Sequence, residues 1–219
     1  MIESSVAQRK ISPRKRGSKI VRIVDPFRYR EILAESGLEE DHAYILIASP
    51  RVDEIREQQA VEIVEGGITD VRFIDLWTLW DCGSRIAYEV KYHEDVASSG
   101  VLDRLRRMAE QVGDRMADSY RLLTERDIDA VSIANAKDIV DCGSNLDLEG
   151  RTLVREHLRR RGPKVRLGDM GRDTRLGTRG YRAAISLIQD GSLVLRPGDR
   201  IGPEMVLDNA LSATDPVSA

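Results

Sequence analysis

Asp75, Glu89 and Lys91 are the residues of this chain whose types and spacing most readily do chemistry. They lie in a run from Arg72 to Lys91 that reads as two strands, the first running to about Trp80 and the second from about Arg85 to Tyr92. Asp81, Cys82, Gly83 and Ser84 supply turn chemistry between them. Strand side chains alternate faces, so Phe73, Asp75, Trp77 and Leu79 share one side of the first strand, and Glu89 and Lys91 share one side of the second. An antiparallel pairing then sets Asp75 beside Glu89 and Lys91. Two carboxylates and an ammonium on one sheet face are costly to bury unless they pair with one another or bind a metal ion.

The elements that must position this hairpin can be read on either side of it. Upstream, Val21–Val24 forms a short strand, followed by a turn at Asp25-Pro26. A helix is predicted from Ser36, an N-cap with Glu39 three residues on, to just before Pro50. Glu39 is then either a helix-capping carboxylate or a site residue facing the sheet. Val52–Gln58 is a short element leading into a strand at Ala60–Val64, and Gly66-Gly67 turns the chain into the hairpin. Downstream, Val101, Leu102, Leu105, Met108, Ala109 and Val112 recur at helical spacing. Tyr120–Thr124 is a short strand, and Thr124 caps a helix that opens at Glu125. Strands alternating with helices predict an α/β sandwich with a mixed sheet.

Glycines and polar residues between Asp141 and Gly150 mark a boundary. Helices follow at Leu148–Arg160, Leu167–Thr174 and Thr178–Asp190, then two strands around Pro197-Gly198-Asp199. Three helices and a hairpin are the order of a winged helix. The expected division is a flexible basic arm (1–20), an α/β domain (21–143), a small winged-helix-like domain (144–210) and a disordered tail (211–219).

The formal net charge of −3 over 219 residues hides a segregation: residues 1–30 carry +7, residues 31–148 carry −14 and residues 149–219 carry +4. Residues 151–182 hold eleven Lys and Arg against three acids. Basic ends flanking an acidic middle suit a protein that meets a phosphate backbone, with metal ions neutralising the centre. Arg14, Lys15 and Arg16 of the arm, and Arg172, Arg175, Arg179 and Arg182 where a recognition helix falls, are the candidate DNA contacts. No apolar run reaches the length of a membrane span and no signal-peptide pattern is present, so a cytoplasmic protein without membrane contact is expected. Cys82 and Cys142 have no ligand-like spacing, and His42, His93 and His157 stand apart from one another. Trp77 and Trp80 read as packing residues.

An Asp followed on the next strand by Glu89-Val90-Lys91 is the arrangement of the PD-(D/E)xK nucleases. Ser36-Gly-Leu-Glu39, Ile55-Arg-Glu-Gln58, Ile74-Asp-Leu76, Tyr88-Glu-Val-Lys91 and Leu122-Leu-Thr-Glu-Arg-Asp-Ile128 stand in an order and spacing that resembles the TnsA family of transposon endonucleases. Leu76 takes the place where that family more often has Phe, and the basic C-terminal region carries no matching motif. The resemblance implies a restriction-endonuclease-like mixed sheet flanked by helices. It also implies a Mg2+-dependent DNA endonuclease, with Mn2+ able to substitute, that cuts at the 5′ ends of a mobile element. Asp75, Glu89, Glu39 and the carbonyl of Val90 would be metal ligands. Lys91 would act on the attacking water or the developing charge, and Gln58 would support the site by hydrogen bonding. The implied partners are double-stranded DNA, an integrase-type transposase subunit and an AAA-type ATPase, and a homodimer is possible. The alternatives are a restriction- or repair-type nuclease of the same superfamily, a catalytically inactive DNA-binding assembly factor, and a regulator that acts through its winged-helix half alone.

Overall fold

The structure, a computed structural model, describes residues 2–9, 20–145 and 147–212. Most of the expected basic arm, including Arg14, Lys15 and Arg16, and residues 213–219 of the expected tail lie outside the described residues. The fold is mixed α/β, with a central mixed sheet flanked by helices. Among the described residues no helix is long and apolar enough to cross a membrane. Backbone contacts divide the chain into two compact units, one of Met1–Leu46 and Arg51–Asp129, the other of Ile47–Pro50 and Ala130–Ala219.

The first unit opens with an antiparallel pair, β1 (Val21–Asp25) and β2 (Arg30–Ala34), joined where Asp25 Oδ1 accepts from the Phe27 and Arg28 amides. Helix α1 (Gly37–Ala48) follows, and two long strands, β3 (Val52–Glu65) and β4 (Ile68–Trp80), pair around the Gly66-Gly67 turn. Both glycines have positive φ, 59° and 82°, as a two-residue hairpin turn requires. Strand β5 (Arg85–Val90) pairs antiparallel with β4, and β6 (Ser119–Leu123) joins it in parallel, giving the order β3-β4-β5-β6. Helices α2 (His93–Ser99) and α3 (Val101–Gln111) make the crossover between the parallel strands. Such a pairing needs a connection of this kind. Met108 of α3 is fully buried against Val61, Ile63, Ile74, Trp77 and Ala87 of the sheet.

Three sequence expectations change in this unit. Val52–Gln58 is not a separate element: β3 runs unbroken to Glu65, its polar Glu57-Gln58-Gln59 centre masking the strand pattern. The face alternation is not kept across Asp75, because Ile74 and Trp77, three residues apart, pack in one cluster. The residue opposite Asp75, Gln58, has a φ of 48° and interrupts the pleat there. Residues 2–9, expected to be part of an unpacked arm, instead lie along the sheet. The Glu3 amide donates to the Tyr29 carbonyl, the Gln8 amide to the Gln58 carbonyl, and the Ala60 amide to Gln8 Oε1. This segment meets polar groups that would otherwise be buried unpaired: Ser5 bonds the Glu57 carboxylate, which also pairs with Arg30 at 2.8 Å.

Thr124 does cap, as a box with Asp127, but only for a single 3-10 turn over Glu125–Asp127. Ile128 is extended, so the next helix starts afresh as α4 (Ala130–Gly143) and belongs to the second unit. That unit continues through α5 (Leu148–Leu158), β7 (Lys164–Arg166), the one-turn α6 (Met170–Asp173), α7 (Thr178–Ser186), β8 (Leu193–Val194) and β9 (Val206–Asn209). Its three strands are antiparallel in the order β7-β9-β8. Leu158, Leu167, Met170 and Leu187 are among its fully buried side chains.

Candidate functional site

The hairpin of β4 and β5 carries the candidate site. Gly83, with φ 82°, turns the chain, and the Trp80 amide donates to the Ser84 carbonyl at 2.9 Å. The register runs from Leu79↔Arg85 to Leu76↔Tyr88, and Asp75 and Glu89 are the next residues on the two strands. On the other side, Gln59↔Ile74 and Glu57↔Leu76 bracket Gln58 opposite Asp75. Asp75 therefore occupies one row of the sheet between an amide and a carboxylate. Its Oδ2 accepts from the Val90 amide at 2.8 Å and its Oδ1 from Gln58 Nε2 at 3.3 Å.

Glu39 reaches the same place from the first turn of α1. The Glu39 amide donates to Ser36 Oγ at 3.1 Å, and Ser36 Oγ donates back to Glu39 Oε1 at 3.0 Å. Glu39 Oε2 accepts from the Glu35 amide at 2.8 Å. These bonds are the capping arrangement that the Ser36-x-x-Glu39 spacing predicts. Capping does not take Glu39 away from the site, since its charge still acts on Asp75. Both Glu39 and Glu89 are buried.

The electrostatics follow from that convergence. Burial, then the nearby Glu39 and Glu89 charges, push the Asp75 carboxyl up to about 7, against the pull of the Val90 and Gln58 donors. Burial also raises Glu39, partly offset by its Glu35 and Ser36 hydrogen bonds. A carboxyl raised by neighbouring carboxylates in this way holds a proton or, with them, a cation.

Glu89 has a partner that sequence reasoning missed. Arg104 of α3 donates to Glu89 Oε2 at 3.3 Å and to the Ser99 carbonyl at 2.9 Å. Sequence spacing carries no signal for it, because the contact depends on how α3 crosses the sheet. Arg9, on the N-terminal segment, pairs with Glu35 at 2.8 Å, lies 5.7 Å from the Phe73 ring centroid and draws Glu39 down.

Lys91 follows directly on the last residue of β5. β5 ends at Val90, and the Lys91 amide donates to the Leu123 carbonyl at 3.0 Å, continuing the parallel pairing. Lys91 is half-buried, and among the described residues its ammonium pairs with no carboxylate. It is therefore next to the site in the chain without closing on Asp75 or Glu89.

The donor set is all oxygen and anionic, which fits a hard divalent cation such as Mg2+. As the side chains stand, no three His, Cys, Asp or Glu among the described residues converge on a single ion. Glu39 is turned to Ser36 and the Glu35 amide, and Glu89 to Arg104, so both carboxylates would have to exchange those bonds for the cation.

The remaining expectations divide. His42 is buried with Nε2 3.0 Å from the Thr124 carbonyl, and burial lowers its pKa, as suits a neutral packing residue. Trp77 Nε1 donates to the Met116 carbonyl and Trp80 Nε1 to Thr78 Oγ1, both packing roles. His93 opens α2 and does not extend the strand face. In the second unit, Arg179 is held by Asp147 and Glu149, Arg182 by Asp141, and Arg172 by Asp169 and Asp173. Arg175 is exposed with φ 61°. The basic face of this unit is thus largely neutralised by its own acids. No protein-family model and no curated protein matches this sequence.

Proposed function

We propose that the first unit is a metal-dependent DNA endonuclease domain of the TnsA type, within the PD-(D/E)xK superfamily. The observation that carries this reading is Asp75, set in a row with Glu89 and within electrostatic reach of Glu39, with its carboxyl pushed up to about 7. An acid held at the expense of its own ionisation beside two further carboxylates suits the capture of a cation better than it suits stability. The mixed sheet with β5 and β6 parallel supports a restriction-endonuclease-like arrangement.

Mg2+, when bound, would supply Lewis acidity and an activated water for attack on the phosphodiester. Asp75 and Glu89 would hold it, with Glu39 and the Val90 carbonyl as further ligands. The Val90 amide keeps the Asp75 carboxylate fixed on the hairpin. Arg104 neutralises Glu89 until Glu89 is needed as a ligand. The Lys91 ammonium, which pairs with no carboxylate among the described residues, would orient water or offset charge on phosphorus. Attack forms a new P–O bond, the opposite P–O bond breaks, and the leaving oxygen takes a proton from solvent.

For the second unit we propose a winged-helix-like domain. The order α5-β7-α6-α7-β8-β9, with β7 and β8 flanking β9, supports it. The partners remain those of the resemblance: double-stranded DNA, an integrase-type transposase subunit and an AAA-type ATPase. The pairing of Arg179 and Arg182 with acids of the same unit favours protein over DNA as what this domain's α7 face contacts.

The test is nicking of supercoiled DNA with Mg2+ or Mn2+ by the wild type and Asp75→Ala, alongside calorimetric titration of the same ions. The reading expects metal binding and nicking that both disappear in a folded Asp75→Ala protein. Nicking retained by Asp75→Ala would sink the assignment. Absence of metal binding in the wild type would favour the inactive assembly factor, for which the fully engaged carboxylate of Glu39 already speaks.

A further inference from the structure

Gln58 is a glutamine in the interior of a strand with a backbone conformation that such a residue rarely adopts. Its φ is 48°, and it is fully buried. A non-glycine residue held there is strained and persists only where its surroundings impose it. Here they do. The Gln58 carbonyl accepts from the Gln8 amide at 3.1 Å, the next amide but one, Ala60, is bonded by Gln8 Oε1 at 2.7 Å, and Gln59 Nε2 reaches the Val6 carbonyl at 3.2 Å. The N-terminal segment thus clamps the kink from outside the sheet.

The kink delivers the Gln58 amide to Asp75. Nε2 donates to Asp75 Oδ1 while the Val90 amide donates to Oδ2, so both carboxylate oxygens have a donor and the carboxylate plane is set. The other end of the same amide is unsatisfied: Gln58 Oε1 is buried and has no hydrogen-bond partner among the described residues. A buried amide oxygen without a donor is costly, because it has given up water without a replacement. Strain and an orphaned acceptor in one side chain, beside the most perturbed carboxyl of the site, are not what packing alone selects.

We propose that Gln58 is a positioning residue of the candidate centre: Nε2 orients Asp75, and Oε1 accepts a hydrogen bond from the hydration shell of the divalent cation. This rests on the reading of Asp75 and Glu89 as cation ligands. Mg2+ and Mn2+ sites of this kind keep several bound waters, each needing an acceptor. Groups that orient ligands and metal-bound waters typically govern metal affinity by about 10- to 100-fold.

The test is calorimetric titration of Mn2+ into the full chain for the wild type, Gln58→Leu, Gln58→Glu and Asp75→Asn, with folding checked by circular dichroism. Gln58→Leu is expected to weaken Mn2+ binding about 10-fold or more. Gln58→Glu, which keeps an acceptor oxygen but loses the Nε2 donor to Asp75, should weaken binding less than Gln58→Leu, and Asp75→Asn should lose the site. If Gln58→Leu does not fold, Gln58→Asn takes its place with the same expectation, since Asn tolerates positive φ and its shorter amide cannot reach Asp75. Wild-type affinity in the folded Leu or Asn variant, together with loss in Asp75→Asn, would overturn the role of Gln58 and leave the site standing. Equal weakening by Glu and Leu would overturn the acceptor role of Oε1, since only Glu keeps that oxygen. A wild type that binds no Mn2+, or binding indifferent to Asp75→Asn, would overturn both this proposal and the site.

Discussion

Asp75→Asn should make the metal-free protein more stable at alkaline pH. The folded-state pKa of Asp75 is raised from 3.8 to about 7. The folded protein therefore keeps a proton that the unfolded chain has already lost between those values. Its stabilising contribution is fully present below about pH 4 and is lost as pH rises through about 7. At about 1.4 kcal/mol per pKa unit the loss is at most about 4 kcal/mol, and about 2 kcal/mol once solvent screening of a half-buried carboxyl is counted. An amide cannot ionise, so the Asn variant escapes that loss, and its Oδ1 can still accept from the Val90 amide. Thermal melts in a chelator should show the two proteins alike near pH 4 and below, with the variant melting higher by about 5 °C or more near pH 8. Adding Mg2+ should then raise the wild type and leave the variant unmoved. A variant no more stable than the wild type at pH 8 would refute the crowding of charge at Asp75.

Lys91→Ala should abolish metal-dependent nicking while leaving Mn2+ affinity, read by calorimetry, within about 2-fold of the wild type, since Lys91 pairs with no carboxylate among the described residues. Arg104→Met should lower metal-free stability by about 2 kcal/mol in urea denaturation, because Glu89 is buried and loses a charged hydrogen bond. The same variant should bind Mn2+ more tightly, as no cation competes for Glu89. Arg30→Met should cost about 3–5 kcal/mol by the same denaturation, because it strands the fully buried Glu57 carboxylate.

The hairpin of β4 and β5 was legible because its signals are local: strand alternation, and turn residues with the one glycine, Gly83, whose positive φ the turn uses. The start of α1 was legible for the same reason, since Ser36 and Glu39 bond each other as their spacing predicts. What escaped depends on tertiary contact. β2 begins with the charged pair Arg30-Glu31, and Arg30 is accommodated only by burial on Glu57. The polar run Glu57-Gln58-Gln59 hid the continuity of β3, because all three are buried only through partners distant in the chain. Arg104 and the kink at Gln58 leave no trace in residue spacing. The charge count of residues 151–182 promised a basic face, but the acids that neutralise Arg179 and Arg182 lie outside that window, at Asp141, Asp147 and Glu149.

The central claim is that Asp75 and Glu89 bind a catalytic divalent cation. Crystals of the full chain soaked in Mn2+, with data collected at the manganese absorption edge, test it without any partner protein. The account predicts an anomalous peak at about 2.0–2.3 Å from carboxylate oxygens of both Asp75 and Glu89, with Glu89 released from Arg104. No peak there, or Mn2+ found only at other carboxylates while Glu89 stays on Arg104, would contradict it.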